Sequence, residues 1–89
     1  MKYVLITGAT AGIGKEIAYS YASRGYNLFL IARREKRLID ISKQISDEFN
    51  INVRHLVSDL KDKNSPKEIY DFADKNSLDI DTLVLNAGY

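Results

Sequence analysis

The chain alternates between short, almost uninterrupted apolar runs and longer stretches in which apolar residues return every three or four positions. Continuous apolar runs are typical of parallel strands covered on both faces, whereas the longer spacing is typical of amphipathic helices. The third run alternates polar and apolar residues, which predicts a strand at the edge of the sheet. The whole pattern predicts strands at 2–6, 27–32, 52–58 and 82–86, and helices at 12–23, at 34–49 and from residue 65 onward.

Each predicted helix has one apolar face, and two of the helices carry signals for where they begin or end. Gly25 is expected to end the first helix, and residues 65–68 (Ser-Pro-Lys-Glu) form a capping box with proline at the first helical position. The faces expected to be buried are Ile13, Ile17, Ala18, Tyr21 and Ala22 in the first helix, Leu38, Ile41, Ile45 and Phe49 in the second, and Ile69, Phe72 and Ala73 in the third.

Three strand–helix units followed by a fourth strand predict an α/β fold, a three-layer parallel sheet with right-handed crossovers. The expected strand order is 3-2-1-4, so the first two helices cover one face of the sheet and the third helix covers the other. The order reverses between the first and fourth strands, and sheets of this kind bind ligands at the carboxyl ends of the strands beside that switch. A ligand is therefore expected over residues 8–14, with residues 86–88 opposite.

A glycine-rich loop, residues 7–14 (Thr-Gly-Ala-Thr-Ala-Gly-Ile-Gly), joins the first strand to the first helix. The first glycine would permit a tight turn, the second would let a diphosphate approach bare backbone, and the third would let the helix pack closely on the strand. Because the start of a helix also attracts anions, this arrangement predicts a phosphate site. The candidate contact residues of the loop are Gly8, Thr10, Ala11, Gly12, Ile13 and Gly14.

The mononucleotide P-loop is a different glycine-rich phosphate binder, and this chain does not match it. That motif needs a glycine five residues before its Gly-Lys pair and a hydroxyl residue after the pair. Here Ala9 stands at the first position, and Glu16 follows Gly14-Lys15. Glutamate cannot replace the magnesium-binding hydroxyl, so a P-loop is excluded.

Composition limits the remaining possibilities. A chain of 89 residues forms one domain at most, and 13 Lys and Arg against 12 Asp and Glu leave a formal net charge of +1. That balance provides no broad basic field for a nucleic acid or an anionic membrane. The chain has no cysteine, and its apolar runs are too short for a signal segment or a membrane span. Composition therefore predicts a cytoplasmic protein that binds a small molecule.

Three short motifs, each at the end of a predicted strand, resemble those of the short-chain dehydrogenase/reductase family of NAD(P)-dependent oxidoreductases. The loop 7–14 is similar to that family's cofactor loop, Asp59-Leu60 to its adenine contact, and Asn86-Ala87-Gly88 to its Asn-Asn-Ala-Gly motif. Leu85 stands where the first asparagine of the last motif is usual. The resemblance covers the whole chain and implies the N-terminal half (1–89) of a single Rossmann domain, truncated after the fourth strand.

The resemblance also implies roles for the motif residues and for a longer parent enzyme. Asp59 would accept a hydrogen bond from the adenine amino group, and the Leu60 amide would reach a ring nitrogen. Asn86 would tie its loop to neighbouring backbone, while Ala87 and Gly88 would leave room for the adenosine ribose. The parent would be a homo-oligomer that transfers hydride between a nicotinamide and a carbonyl or alcohol substrate.

The end of the second strand distinguishes the two nicotinamide cofactors. NAD sites carry Asp or Glu there for the ribose 2′-hydroxyl, but this chain has Ala32-Arg33-Arg34, which also argues against S-adenosylmethionine. Four of the five residues from 33 to 37 are cationic, although a helix N-terminus disfavours cations. NADP is therefore expected rather than NAD, with Arg33 and Arg34 on the 2′-phosphate. Lys36 and Arg37 are assigned to a solvated helix start.

Catalytic residues are not predicted within this chain. The family uses a tyrosine with a lysine four residues later, and no Tyr-x-x-x-Lys sequence occurs here. Two interpretations stay open, the NADP-binding part of an oxidoreductase and a stand-alone nucleotide-binding or scaffold module without activity. In the isolated chain the fourth strand presents an apolar edge, so we expect that chain to be marginally stable or to self-associate through the strand.

Overall fold

The computed structural model describes residues 1–86, which form a four-stranded parallel sheet with helices on both faces. The strand order is β3-β2-β1-β4, which confirms the predicted Rossmann-like topology. The elements are β1 (Lys2–Thr7), α1 (Gly12–Ser23), β2 (Asn27–Ala32), α2 (Glu35–Phe49), β3 (Val53–Val57), α3 (Ser65–Lys75) and β4 (Asp79–Val84).

Both central strands are buried because helices cover them on both faces. Side chains of alternate residues point to opposite faces of a sheet. Those of β1 and β2 are almost all apolar, and they supply two separate cores. The core under α1 and α2 includes Val4, Ile6, Leu28 and Leu30, and the core under α3 includes Tyr3, Leu5, Phe29 and Ile31.

The third helix covers its face of the sheet with the residues that the sequence predicted. Ala73 is buried, and Ile69 and Phe72 pack against the same core. The Phe72 ring stacks on Phe29, with ring centroids 5.2 Å apart and planes 19° apart. Helix α3 therefore covers the core that contains Phe29, at the middle of the sheet.

Strand β4 differs most from its prediction, since it begins at Asp79 and ends at Val84 rather than spanning 82–86. Within residues 1–86 it pairs with β1 alone, and its residues alternate between exposed and half-buried. An edge strand tolerates polar residues such as Asp79 and Asp81, which interrupt the apolar run used to predict it. The parallel register with β1 also shifts between Tyr3 and Val4, so β4 contains one extra residue there.

The buried face of α1 is narrower than predicted, and Ile13 is not part of it. The Ile13 side chain is 69% exposed, whereas Gly14, Ala18 and Ala22 form the stripe buried against the sheet. Ile17, four residues further along and on the same side of the helix as Ile13, does pack against the core. Small residues on the stripe bring the helix close to the strands. The predicted stop is confirmed, since Gly25 has a φ of +86° directly after the helix.

The predicted capping box at the start of α3 is wrong. Asn64 occupies the capping position, and no side chain caps the helix. The Ser65 hydroxyl is instead fully buried and hydrogen-bonds to the Ser58 hydroxyl, with the two oxygens 2.6 Å apart. Pro66 does lie in the first turn, where the missing N–H costs no hydrogen bond.

Candidate functional site

A cavity of about 300 Å³ lies at the carboxyl ends of the strands. This is the edge of the sheet that was predicted to hold a ligand. Three loops surround it, which follow β1, β2 and β3. Asn86, just after β4, completes the wall. The lining residues are Gly8, Thr10, Ala11, Ile31, Ala32, Arg33, Arg34, Arg37, Ser58, Asp59, Leu60, Lys61 and Asn86.

Backbone hydrogen bonds hold the three loops at a common level. The Gly8 N–H donates to the Ile31 carbonyl oxygen, and the Ser58 N–H donates to the Ala32 carbonyl oxygen, each over 2.9 Å. These bonds extend the parallel ladders by one residue beyond the strands. The sheet therefore fixes the points at which these loop backbones begin.

The loop after β1 leads directly into the start of α1. Gly8 and Gly12 have φ of +64° and +57°, a region that residues with a Cβ adopt at a cost. Ala11 precedes the helix without a side-chain cap, and no acidic residue lies in the first turn. The first backbone N–H groups of a helix have no partners within it and carry a partial positive charge. An anion beside this loop would meet these groups.

Asn86 ties the chain after β4 to the loop after β1. Its backbone N–H donates to Thr7 Oγ1 over 2.9 Å, and Thr7 Oγ1 donates to the Asn86 carbonyl oxygen over 3.1 Å. The Asn86 side-chain amide donates to the Gly8 carbonyl oxygen over 3.3 Å. A Cβ at Gly14 would overlap that same carbonyl group and lie 2.7 Å from the Asn86 amide nitrogen. Gly14 therefore leaves just enough space for the Asn86 contact.

The loop after β3 is held at both of its ends. The Asp59 carboxylate accepts a hydrogen bond from the Lys61 N–H over 3.0 Å. Beneath the loop, the buried hydroxyl pair of Ser58 and Ser65 joins the residue before the loop to the first residue of α3. This hydrogen bond, rather than a capping box, connects the start of α3 to the residue at the beginning of the loop.

We expect Ser65→Ala to lower the free energy of unfolding by about 1–3 kcal/mol, since the buried Ser58 hydroxyl would lose its partner. Ser58→Ala should cost a similar amount for the same reason. The double variant should lose less than the sum of the two, because no unpaired hydroxyl remains. Urea unfolding of the four proteins measures this coupling. Strictly additive losses would show that the hydrogen bond does not hold the loop.

Cationic side chains dominate the cavity. Arg33, Arg34, Arg37 and Lys61 line it, against a single acidic residue, Asp59. Among residues 1–86, the side chains of the three arginines form neither a hydrogen bond nor an ion pair. Such a surplus of unpaired guanidinium groups in a concave site favours an anionic ligand.

From the sequence, Arg37 was assigned to a solvated helix start, and it is exposed in the first turn of α2. It also lies on the cavity wall. Helix α2 begins at Glu35, so Arg37 lies in its first turn, while Arg34 precedes the helix in an extended conformation. Ser58 and Lys61 also line the cavity without having been predicted.

The structure brings most of the predicted contact residues together. Three predicted residues, Gly12, Ile13 and Gly14, form the first turn of α1 and are not part of the cavity wall. Ala87 and Gly88 lie outside the described residues. The predicted residues that do line the cavity are Gly8, Thr10, Ala11, Arg33, Arg34, Asp59, Leu60 and Asn86.

Neither a metal-binding cluster nor a membrane-spanning helix occurs in residues 1–86. In residues 1–86 no group of three or more His, Asp or Glu side chains is arranged to hold a metal ion. No helix in the same range combines the length and the apolar character that crossing a membrane requires.

Known oxidoreductases resemble this chain over nearly its whole length. The very-long-chain 3-oxoacyl-CoA reductase of Candida glabrata is 40% identical over 88 residues, which cover 97% of this chain and 24% of the yeast enzyme. The L-sorbose reductase of Gluconobacter frateurii, solved with NADPH and L-sorbose, is 28% identical with a TM-score of 0.93 over 99% of this chain and 34% of that one. An alcohol dehydrogenase from Thermococcus sibiricus, complexed with 5-hydroxy-NADP, is 34% identical with a TM-score of 0.86 over 93% of this chain and 35% of that one.

The chain spans about a quarter of the length of the yeast reductase. A sequence model of the short chain dehydrogenases matches residues 2–89, which is nearly the whole chain. With its parallel sheet in the order 3-2-1-4 and its glycine loop beside the sheet switch, the chain therefore belongs to the short-chain dehydrogenase family of oxidoreductases.

Proposed function

We propose that residues 1–89 are the N-terminal, dinucleotide-binding half of a short-chain dehydrogenase domain that binds NADPH in preference to NADH. The parent enzyme would transfer hydride between the nicotinamide and a carbonyl or alcohol substrate. One observation carries the proposal. Three arginines without protein partners in residues 1–86 line the cavity at the end of β2, where an NAD site would have an acid.

The diphosphate would bind at the loop after β1. Gly8 and Gly12 adopt positive φ values there, and an added Cβ at Gly12 would meet no atom within 4 Å. The backbone is therefore open to a ligand at this point. Backbone N–H groups and the positive end of α1 would stabilise the two negative charges of the diphosphate.

The adenosine would lie between the loops after β2 and β3. The Asp59 carboxylate already accepts the Lys61 N–H on one oxygen, which fixes its orientation and leaves the other oxygen able to accept from the adenine amino group. Leu60 is the next residue of the wall, and its backbone would meet a ring nitrogen. Ala87 and Gly88 would leave space for the ribose.

The 2′-phosphate would be held by Arg33, with Arg34 beside it. A guanidinium presents two parallel N–H donors to phosphate oxygens, and it retains its charge at every accessible pH. Neither arginine has an ion pair in residues 1–86 that a phosphate would have to displace. The solved relatives from Gluconobacter frateurii and Thermococcus sibiricus, which hold NADPH and 5-hydroxy-NADP, support this choice of cofactor.

We expect the chain to bind NADPH about tenfold to a hundredfold more tightly than NADH, because hydrogen bonds to a charged group contribute about 1.5–3 kcal/mol. Isothermal titration with both cofactors measures the ratio. Arg33→Asp should reverse it, since a carboxylate repels the 2′-phosphate and accepts from a 2′-hydroxyl. Equal affinities in the wild type, or an unchanged ratio in the variant, would contradict the NADP assignment.

We also propose that this chain self-associates through the free edge of β4. No strand in residues 1–86 covers that edge, and Leu83 and Leu85 are 61% and 74% exposed. An apolar groove between β4 and α3, formed by Ile69, Tyr70 and Leu83 with their neighbours, continues the surface. Unpaired backbone groups on an apolar edge favour pairing with another chain.

Sedimentation velocity over a range of concentrations should show reversible association of the wild type. Leu83→Lys should suppress it, because a charge on an edge strand opposes edge-to-edge pairing. Ile39→Lys is the matched control, since Ile39 is an exposed apolar residue on α2, away from the edge. A wild type that stays monomeric at every concentration would refute the proposal, as would equal effects of the two lysines.

A further inference from the structure

The NADPH site proposed above gives Arg33 and Arg34 a role but gives none to Arg37, which also lines the cavity. It lies on the cavity wall in the first turn of α2, together with Arg33 and Arg34. The next residue, Leu38, is fully buried and, with Ile41, fixes the rotation of the helix on the sheet. Arg37 is therefore held beside the cavity by the packing of its own helix.

The position of Arg37 is electrostatically unfavourable for the protein alone. The start of a helix carries a partial positive charge, which opposes a cation in the first turn. Arg33 and Arg34 line the same cavity, so Arg37 adds a third like charge to it. Asp40, three residues further along the helix, could pair with Arg37, but Arg37 forms no ion pair with any residue of the described chain. An anionic ligand between the guanidinium groups would relieve these repulsions.

The charge of the expected ligand also requires more than one cation. A phosphate monoester carries about −1.5 to −2 charges at pH 7 and has three strongly accepting oxygens. A single guanidinium neutralises one of these charges and engages at most two of the oxygens. A second guanidinium on the same cavity wall would match both the charge and the third oxygen.

We infer that Arg37 is a second specificity-determining residue, which binds the 2′-phosphate of NADPH together with Arg33. This inference rests on the proposed function of the cavity. The two arginines belong to different elements. Arg33 directly follows β2, whereas Arg37 lies in the first turn of α2. Preference for NADPH would then depend on Arg33 and Arg37, four positions apart, with Arg34 beside them.

The test compares Arg37→Gln with Lys36→Gln in the full chain. Lys36 is the preceding residue, is exposed, does not line the cavity and gives the same change of charge. Isothermal titration should show that Arg37→Gln weakens NADPH binding about tenfold and changes NADH binding less than twofold, as expected for a lost charge-assisted hydrogen bond. Lys36→Gln should change both affinities less than twofold. Arg37→Lys, which keeps the charge but loses the paired donors, should give an intermediate loss for NADPH.

A pH series provides a readout that a structural role would not affect. Adenosine 2′,5′-bisphosphate and 5′-AMP differ only in the 2′-phosphate, whose second proton leaves near pH 6, by analogy with other phosphate monoesters. Between pH 5 and pH 7.5, the affinity ratio of these two ligands should rise in the wild type and rise less in Arg37→Gln. Circular dichroism and urea unfolding establish that the variants are folded.

These measurements distinguish a failure of the role inferred for Arg37 from a failure of dinucleotide binding itself. If the wild type binds neither dinucleotide, the proposed function fails and the inference fails with it. If the wild type prefers NADPH and Arg33→Gln removes that preference, the proposed function stands. In that case, the inference is overturned if Arg37→Gln weakens NADPH and NADH equally, or changes neither affinity more than Lys36→Gln does.

Discussion

Gly14→Ala is expected to lower the free energy of unfolding by about 3 kcal/mol, although the same change in most helices is stabilising. An alanine in a helix interior is ordinarily favoured over glycine by about 0.8–1 kcal/mol. At Gly14 the added Cβ would overlap the Gly8 carbonyl group, which belongs to the backbone and cannot rotate away. Overpacking of this kind typically costs about 1–3 kcal/mol, and here the upper end applies because helix and loop must separate.

Such a loss is large for a chain of 89 residues, for which the whole stability is about 4–13 kcal/mol. Gly12→Ala provides the control, since an alanine there meets no atom within 4 Å and only its φ of +57° is unfavourable. That conformation costs about 1–2 kcal/mol. Urea unfolding should therefore rank the two variants with Gly14→Ala clearly the less stable. The reverse order would show that α1 does not pack closely on the loop.

Gly12→Val is expected to weaken NADPH binding by more than the roughly hundredfold that loss of one charge-assisted contact can explain. The valine methyl groups would fill the open space beside the loop, through which a diphosphate would reach the backbone. Arg33→Ala removes one contact group and leaves that approach free. Isothermal titration should therefore show a greater loss of affinity for Gly12→Val than for Arg33→Ala.

Gly25→Val separates this steric effect from backbone strain. Gly25 also has a positive φ, of +86°, and an added Cβ there likewise meets no atom within 4 Å. It follows the opposite end of α1, away from the cavity. Valine should strain the backbone at both positions, so both variants should lose stability, but only Gly12→Val should lose binding. Retained binding by a folded Gly12→Val variant would mean that the diphosphate does not approach through this loop.

The fold was predictable because it depends on features that a sequence displays directly. Strands β1 and β2 are covered on both faces, so they appear as continuous apolar runs, and the prediction was correct to within one residue at their ends. Right-handed crossovers and the glycine loop then restrict the strand order. Strand β4 was misplaced because it is exposed at the edge, where Asp79 and Asp81 interrupt the pattern.

The remaining errors concern individual side chains, whose contacts the local sequence pattern does not determine. The hydroxyl of Ser65 could have capped its own helix, but the buried Ser58 hydroxyl provides a partner that no local pattern reveals. Ile13 has the right spacing for the core and is nevertheless exposed, whereas Ile17 on the same side of the helix packs against the core. Arg37 was not assigned to a ligand because charge alone does not tell whether an exposed residue also lies beside a cavity.

Amide chemical-shift mapping with NADPH tests the central claim, that this cavity binds a dinucleotide, most directly. Titration of the ¹⁵N-labelled chain should shift the amide signals of Gly8, Arg33 and Leu60, which lie on three separate loops around one cavity, and that of Gly12 at the start of α1. NADH should shift the glycine-loop signals similarly and the Arg33 signal less. Signals from the groove between α3 and β4 should stay unchanged. Shifts concentrated in that groove, or none at millimolar NADPH, would contradict the account.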